Sequence, residues 1–118
     1  MTTAESLALL TRLYVEALGE KPPEGYIDYI DMLGYYVRYV KGGEEHWPAA
    51  RVDWDVVFGL IDRMAQKYRD WSVVMEHFVS DKDWVISIMK EDVILGTSWG
   101  PQPADLLPAF AQAAGLKE

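Results

Sequence analysis

The sequence predicts an α+β fold in which an N-terminal helical hairpin precedes an α-β-β-β-α unit, whose three-stranded antiparallel sheet packs against helices. Two observations support this prediction. Apolar residues recur at helical spacing before residue 70, and they alternate with other residues between short polar turns after it. The chain has 118 residues, of which 50% are apolar, and this suits a single domain with one core.

The first helix is predicted over residues 3–18. Thr2 and Glu5 have the spacing of a capping box, and Gly19 suits the left-handed conformation that ends many helices. One apolar stripe lies along this helix at helical spacing: Leu7, Leu10, Tyr14, Ala17 and Leu18. The proline-containing residues 21–25 then predict a turn.

A second helix is predicted over residues 26–41, because an apolar seam runs along it at steps of three and four residues. The members of this seam are Tyr26, Ile30, Leu33, Val37 and Val40. Gly42 and Gly43 are typical of a helix end. Residues 1–43 therefore form the predicted helical hairpin, and residues 44–51 are predicted to be a loop.

The α-β-β-β-α unit is predicted over residues 52–116. Its first helix begins after Asp53, whose side chain is a favourable N-cap. Five residues of this helix form its predicted buried stripe: Val57, Leu60, Ile61, Met64 and Tyr68. The helix is expected to end at Arg69 and Asp70.

Three strands are then predicted, over residues 71–79, 84–89 and 93–99. The connections at residues 80–83 and 90–92 are too short for a parallel crossover, so the strands form an antiparallel meander. The last helix is expected to run to about Ala114 and to end at Gly115. Pro108 requires that this helix start only shortly before it, since proline is tolerated in the first turn.

The charge of the chain excludes several classes of partner. It carries 19 acidic and 11 basic residues, a net charge of −8. Nucleic-acid affinity depends largely on lysine and arginine side chains that neutralise phosphates, and the densest cationic stretch is only Arg63, Lys67 and Arg69. We therefore expect no direct nucleic-acid binding and no binding to anionic membranes.

Missing sequence features indicate where the chain works. No apolar run approaches the roughly 18 residues of a membrane-spanning helix, and the first residues lack the pattern of a signal peptide. Cysteine is absent, which excludes disulfides, thiolate nucleophiles and cysteine-based zinc sites. The expected location is the cytoplasm, which is the host cytoplasm if the gene belongs to a phage.

Residues 52–116 resemble a known family. Val52–Val57 opens the helix, Trp71 and Trp84 open the first two strands, and Thr97–Ala104 leads into an alanine-rich last helix. In this order of elements the chain resembles the phage ABA-sandwich domain. The resemblance implies a mobile-element origin and an accessory role, and it brings no catalytic residues with it.

The same element order is also similar to that of the double-stranded-RNA-binding domain. That domain needs a basic cluster at the start of its final helix. Residues 101–105 of this chain read Pro-Gln-Pro-Ala-Asp and contain no cation. RNA binding is therefore not predicted.

No catalytic, metal-binding or cofactor-binding residue is predicted. His46 and His77 are the two histidines, and each has a simple interpretation, as a loop residue and as a strand residue. Asp81-Lys82-Asp83 lacks the remaining ligands of a calcium loop and is interpreted as a hairpin turn. The carboxylates of helices are interpreted as solvated residues or as helix-start acids that complement the helix dipole.

Two enrichments point to protein binding instead. Five of the seven tyrosines lie within residues 26–39, where they either line the joint with the rest of the domain or form a partner-binding or self-association face. Acidic residues cluster in predicted turns, where they are either simply solvated or imitate nucleic-acid phosphates. The candidate partner-binding residues are Asp28, Asp31, Tyr35, Tyr39, Glu44, Glu45, Trp47, Asp81, Asp83, Glu91 and Asp92.

The resulting hypothesis is an acidic, non-enzymatic protein-binding module of phage or mobile-element origin. Its partner would be a basic, nucleic-acid-binding protein, whose surface it occludes as an anti-CRISPR or anti-restriction inhibitor does. One alternative is an accessory phage protein that forms a homo-oligomer through the tyrosine-rich second helix. Another alternative is an immunity-type inhibitor of a toxin, which would use the same acidic surface.

Overall fold

The computed structural model describes residues 3–20, 29–30, 35–40, 43–48 and 52–117. Side-chain surroundings are described for residues 5–20 and 52–117. Together these residues show a mixed α+β fold, with helices packed against a three-stranded antiparallel sheet. The predicted α+β fold class is therefore confirmed, although strands replace the second helix of the predicted helical hairpin and most of the loop after it.

The first helix has two parts, an α-helix α1 (Thr3–Arg12) and a π-helical segment (Leu13–Leu18). The segment ends at Gly19, whose left-handed φ of 67° requires little strain only in glycine. The predicted stripe is buried, with Leu7 and Leu10 almost inaccessible. The helix therefore covers the residues that its apolar periodicity indicated.

The helix predicted over residues 26–41 is wrong in its described part. The chain there forms strands β1 (Tyr29–Ile30) and β2 (Tyr35–Val40), and β3 (Gly43–Pro48) occupies most of the predicted loop. The three strands form one antiparallel sheet in the order β1-β2-β3. Tyrosine, valine and isoleucine favour the pleated strand, where their branched or aromatic side chains pack well. The same residues also fit a strand period of two, and this preference outweighs the helical spacing.

The unit that follows has the predicted order. It consists of α2 (Trp54–Lys67), β4 (Trp71–Phe78), β5 (Asp83–Lys90), β6 (Val93–Gly100), a 3₁₀ turn (Pro103–Leu106) and α3 (Leu107–Ala114). Asp53 is the N-cap of α2, since its Oδ1 accepts the N–H of Val56 at 2.9 Å. Pro108 lies in the first turn of α3, and Gly115 ends that helix with a φ of 72°.

The second sheet is a regular antiparallel meander in the order β4-β5-β6. Its two faces differ in burial. Ile86 and Ile88 are fully buried on the face that meets the helices, which we call the inner face. The fully buried residues of α3 are Leu107, Ala109 and Phe110, and they belong to the same hydrophobic core as these isoleucines. The core therefore lies between the helices and one side of this sheet.

Helix α3 approaches strand β6 very closely at Gly96. A Cβ atom at this glycine would overlap the carbonyl oxygen of Ala109 and lie 3.0 Å from the backbone nitrogen of Ala113. Two residues later in β6, Ser98 Oγ accepts the N–H of Ala109 at 3.2 Å. The serine thereby pairs a buried amide in the first turn of the helix, where amides have no partner within the helix.

Candidate functional site

The side of the second sheet that faces away from the helices is its outer face. Strand register places three residues together across this face in each row, for example Glu76, Val85 and Trp99. The next row consists of Val74, Ser87 and Thr97. The apolar members of the outer face are Val74, Phe78, Val85, Met89, Ile94 and Trp99.

Much of this apolar surface is accessible to solvent. Trp99 is 65% exposed, Ile94 58%, Phe78 46% and Val74 43%. The inner-face isoleucines of the same sheet are fully buried, whereas Ile94 on the outer face is exposed. The two faces therefore differ in what packs on them and not in the type of residue they carry. Several large apolar side chains exposed on one sheet face, an indole ring among them, are typical of an interaction site.

The acidic turns lie at the two ends of the outer face. Asp81 and Asp83 stand at the connection of β4 to β5, whereas Glu91 and Asp92 form the connection of β5 to β6. Strand β5 has 8 residues. At roughly 3.3 Å per residue it separates the two turns by more than ~20 Å. The four predicted binding residues therefore form two acidic ends with an apolar surface between them.

The remaining candidate residues lie before residue 52. Asp28 and Asp31 lie outside the described residues. Tyr35 and Tyr39 belong to β2, and Glu44, Glu45 and Trp47 belong to β3. The backbone register sets Tyr39 opposite Glu44. Tyr35 and Tyr39 are predicted on a helix, and Glu44, Glu45 and Trp47 in a loop. The structure instead places these five residues in the two strands of one hairpin.

A row of aromatic rings closes the inner side of the sheet at its acidic β4–β5 end. Trp54 lies 6.1 Å from Phe58 and 4.9 Å from Trp84, measured between ring centroids. His77 stacks on Trp84 at 4.2 Å with an interplanar angle of 7°. Sequence analysis missed this row. Two signals could have revealed it, namely the i,i+4 spacing of Trp54 and Phe58 and the opposition of His77 and Trp84 across a short hairpin.

His77 lies on the strand face that its alternation with Trp71, Val73 and Met75 predicted. Its ring contacts the indole of Trp84. Among the described residues, no three histidine, aspartate or glutamate side chains come close enough to hold a metal ion together. The arrangement at His77 is that of a stacked surface histidine.

One ion pair at the other end of the sheet changes the pKa of one of its members. Lys90 Nζ lies 3.0 Å from Asp70 Oδ2, and both side chains are more than half exposed. The hydrogen bond from Lys90 lowers the pKa of the Asp70 carboxyl below its ordinary value. The pair joins the residue before β4 to the end of β5. Solvent screens it, so its contribution to stability is small.

An open depression of about 280 Å³ lies where β6 meets α3. Trp99, Asp105, Pro108 and Gln112 are among its lining residues. Asp105 accepts the N–H of Gln102 at 3.0 Å, and Gln112 accepts the N–H of Thr97 at 3.1 Å. The first bond caps the 3₁₀ turn and the second joins α3 to β6. The depression forms a border of the outer face next to Trp99.

Comparison with known proteins adds nothing to the geometry of the candidate site. No family model, no curated protein and no solved structure matches the chain. In the part of the chain that the structure describes, no helix is long and apolar enough to cross a membrane.

Proposed function

We propose that the chain is a non-enzymatic protein-binding module, and that it binds a basic protein through the outer face of its second sheet. The observation that carries this proposal is the exposed apolar surface around Trp99, Ile94 and Phe78, with an acidic turn at each end. Binding hot spots are enriched in tryptophan near the centre of an interface, and charged groups at the rim steer the partner.

The sign of the charge decides which partner fits. The described positions of the outer face carry Glu76 and Asp83 and no lysine or arginine. The whole chain has a net charge of −8. A surface of this kind repels phosphates and attracts lysine- and arginine-rich surfaces, which raises the association rate at low ionic strength.

Within this class we favour an inhibitor of host defence, of the anti-CRISPR or anti-restriction type, that occludes a basic nucleic-acid-binding surface. The acidic charge and the resemblance of residues 52–116 to a phage domain support this choice. The two acidic turns would stand where the phosphates of a bound nucleic acid stand, and the apolar centre would supply affinity that does not depend on salt.

Affinity capture from host lysate tests the proposal, with the purified chain as bait and salt as a variable. The wild type is expected to retain a basic protein that a DNA duplex displaces. Phe78→Ala should lose this protein, whereas Phe58→Ala should keep it. The two phenylalanines are a matched pair, because they are 46% and 52% exposed but lie on the outer face and on α2, respectively.

A second pair of variants tests the charges. Asp81→Asn with Asp83→Asn, and Glu91→Gln with Asp92→Asn, each remove two negative charges from one end of the sheet. Either change should slow association and reduce its salt dependence without unfolding the chain. A partner that binds equally well to all of these variants at low and high salt would refute the proposed surface.

A further inference from the structure

The two edges of the second sheet differ. Helix α3 approaches strand β6 closely at Gly96, and its Gln112 Oε1 accepts the N–H of Thr97 at 3.1 Å. Strand β4 has no pairing strand on its other side among the described strands. It pairs with β5 over 8 residues without a bulge, and it contains no proline and no lysine. Natural proteins usually protect an exposed edge with a bulge, a proline or a lysine. An edge of this length without them indicates an interface.

Burial on the inner face indicates the same edge. Trp71, Val73 and Met75 point toward the helices, yet they are only half-buried. On the neighbouring strand Ile86 and Ile88 are fully buried. The flank of β4 is therefore the side on which the core remains open.

Hydrogen-bond geometry shows which backbone groups this edge offers. The N–H of Thr97 points away from β5, since it reaches Gln112. N–H and C=O groups alternate in direction along an antiparallel ladder. Thr97 lies opposite Ser87, whose N–H therefore points toward β4, and Ser87 lies opposite Val74, whose N–H points back toward β5. The N–H groups of the alternate residues Val73, Met75 and His77 then point away from the sheet. An added strand would bond to these groups.

The charges along β4 are arranged asymmetrically. Lys67, Arg69 and Asp70 precede the strand, and Asp70 is paired with Lys90. Glu76 lies in its second half, and Asp81, Lys82 and Asp83 follow it, so the start carries a small positive charge and the end a negative one. An antiparallel copy of the same strand would place the basic start of each β4 beside the acidic end of the other. The edge is thus complementary in charge to itself, and only in the antiparallel orientation.

We propose that β4 pairs antiparallel with β4 of a second copy of this chain, with Val74 on the two-fold axis. This register pairs Val73 with Met75 through the outward backbone groups, and it sets Ser72 opposite Glu76. It brings no like charges together within the strand, and it adds the two sheets into one of six strands. The proposal does not depend on the identity of any partner protein, and the dimer would double the outer face.

Sedimentation equilibrium of the purified full chain over a range of concentrations tests this dimer. The wild type should dimerise in a concentration-dependent manner. Val74→Lys and Val74→Glu should each weaken it about tenfold or more, because like charges would meet on the axis. A mixture of the two variants should form a heterodimer that is tighter than either homodimer. This recovery is specific to a register in which residue 74 meets itself.

Two further variants separate loss of the interface from loss of the fold. Val93→Lys adds the same charge at a 61% exposed position beside the β5–β6 turn, and it should leave the dimer intact. Met75→Pro removes an outward N–H and should give a monomer with wild-type circular dichroism. A wild type that stays monomeric at all concentrations, or a dimer that Val74→Lys does not weaken, would overturn the proposal. So would a mixture that associates no better than its components.

Discussion

Replacing Gly96 by alanine is the substitution whose effect follows most directly from the structure. The added methyl group would overlap the carbonyl oxygen of Ala109 and press on the backbone of Ala113. Ordinary contact begins at about 3.4 Å, so α3 would have to withdraw from β6 by more than about an ångström. Backbone atoms cannot rotate away as a flexible side chain can, and the contact therefore has no inexpensive relaxation.

The expected cost lies at the upper end of the range for overpacking, about 3 kcal/mol. Withdrawal of α3 also lengthens the bond between Ser98 and Ala109, whose present distance is 3.2 Å. For a domain of this size such a loss lowers Tm by roughly 10 °C. It removes a large part of a typical free energy of unfolding, which is ~5–15 kcal/mol.

Urea denaturation followed by tryptophan fluorescence measures this loss, with Gly59→Ala as the control. A Cβ at Gly59 would meet no atom within 4 Å, and alanine is favoured over glycine inside a helix by roughly 0.5–1 kcal/mol. The same chemical change should therefore destabilise the protein at position 96 and stabilise it at position 59. Equal stability of Gly96→Ala and the wild type would refute the close approach of α3 to β6.

Three other substitutions have defined outcomes. Ser98→Ala leaves a buried amide at the start of α3 without its partner, and it should cost about 1–3 kcal/mol in urea denaturation, whereas Ser87→Ala on the outer face should be near neutral. Tyr68→Phe removes a 3.1 Å hydrogen bond to the carbonyl of the π-helical segment, and it should lower the free energy of unfolding by about 0.5–1.5 kcal/mol. Asp70→Asn should make the free energy of unfolding depend less on pH in the acidic range. Because Lys90 lowers the pKa of Asp70 in the folded state, the pair stabilises the protein above the ordinary carboxyl pKa, and this contribution disappears as the pH falls through the lowered value. If the free energy of unfolding, measured by urea denaturation at low salt, fell equally with acidic pH in both proteins, this account would be contradicted.

The sequence was most informative where each residue type agrees with a single period. In α2 the apolar residues Val57, Leu60 and Met64 fit only a helical stripe, and all three are buried. The residues from Tyr35 to Val40 satisfy a helical seam and a strand alternation at once. Their β-branched and aromatic character decides between the two, and spacing alone could not.

The candidate site shows a different limit of sequence analysis. Asp81 and Glu91 were predicted in turns, and hairpin topology alone places successive turns at opposite ends of a meander. Which face of the meander the helices cover depends on long-range packing, however, so the exposure of Trp99 and Ile94 could not be predicted. The ring contact between Trp54 and Trp84 has the same origin, because it joins a helix and a strand that are distant in sequence.

The side chain of Gln112 on the amide of Thr97 bears on how molecules can assemble, because it leaves one fewer amide on β6 for an incoming strand. Pairing of β4 with β4 would use the same edge of both molecules. A two-fold contact of this kind is self-complementary, so it would close at a pair and would not by itself extend into a ribbon.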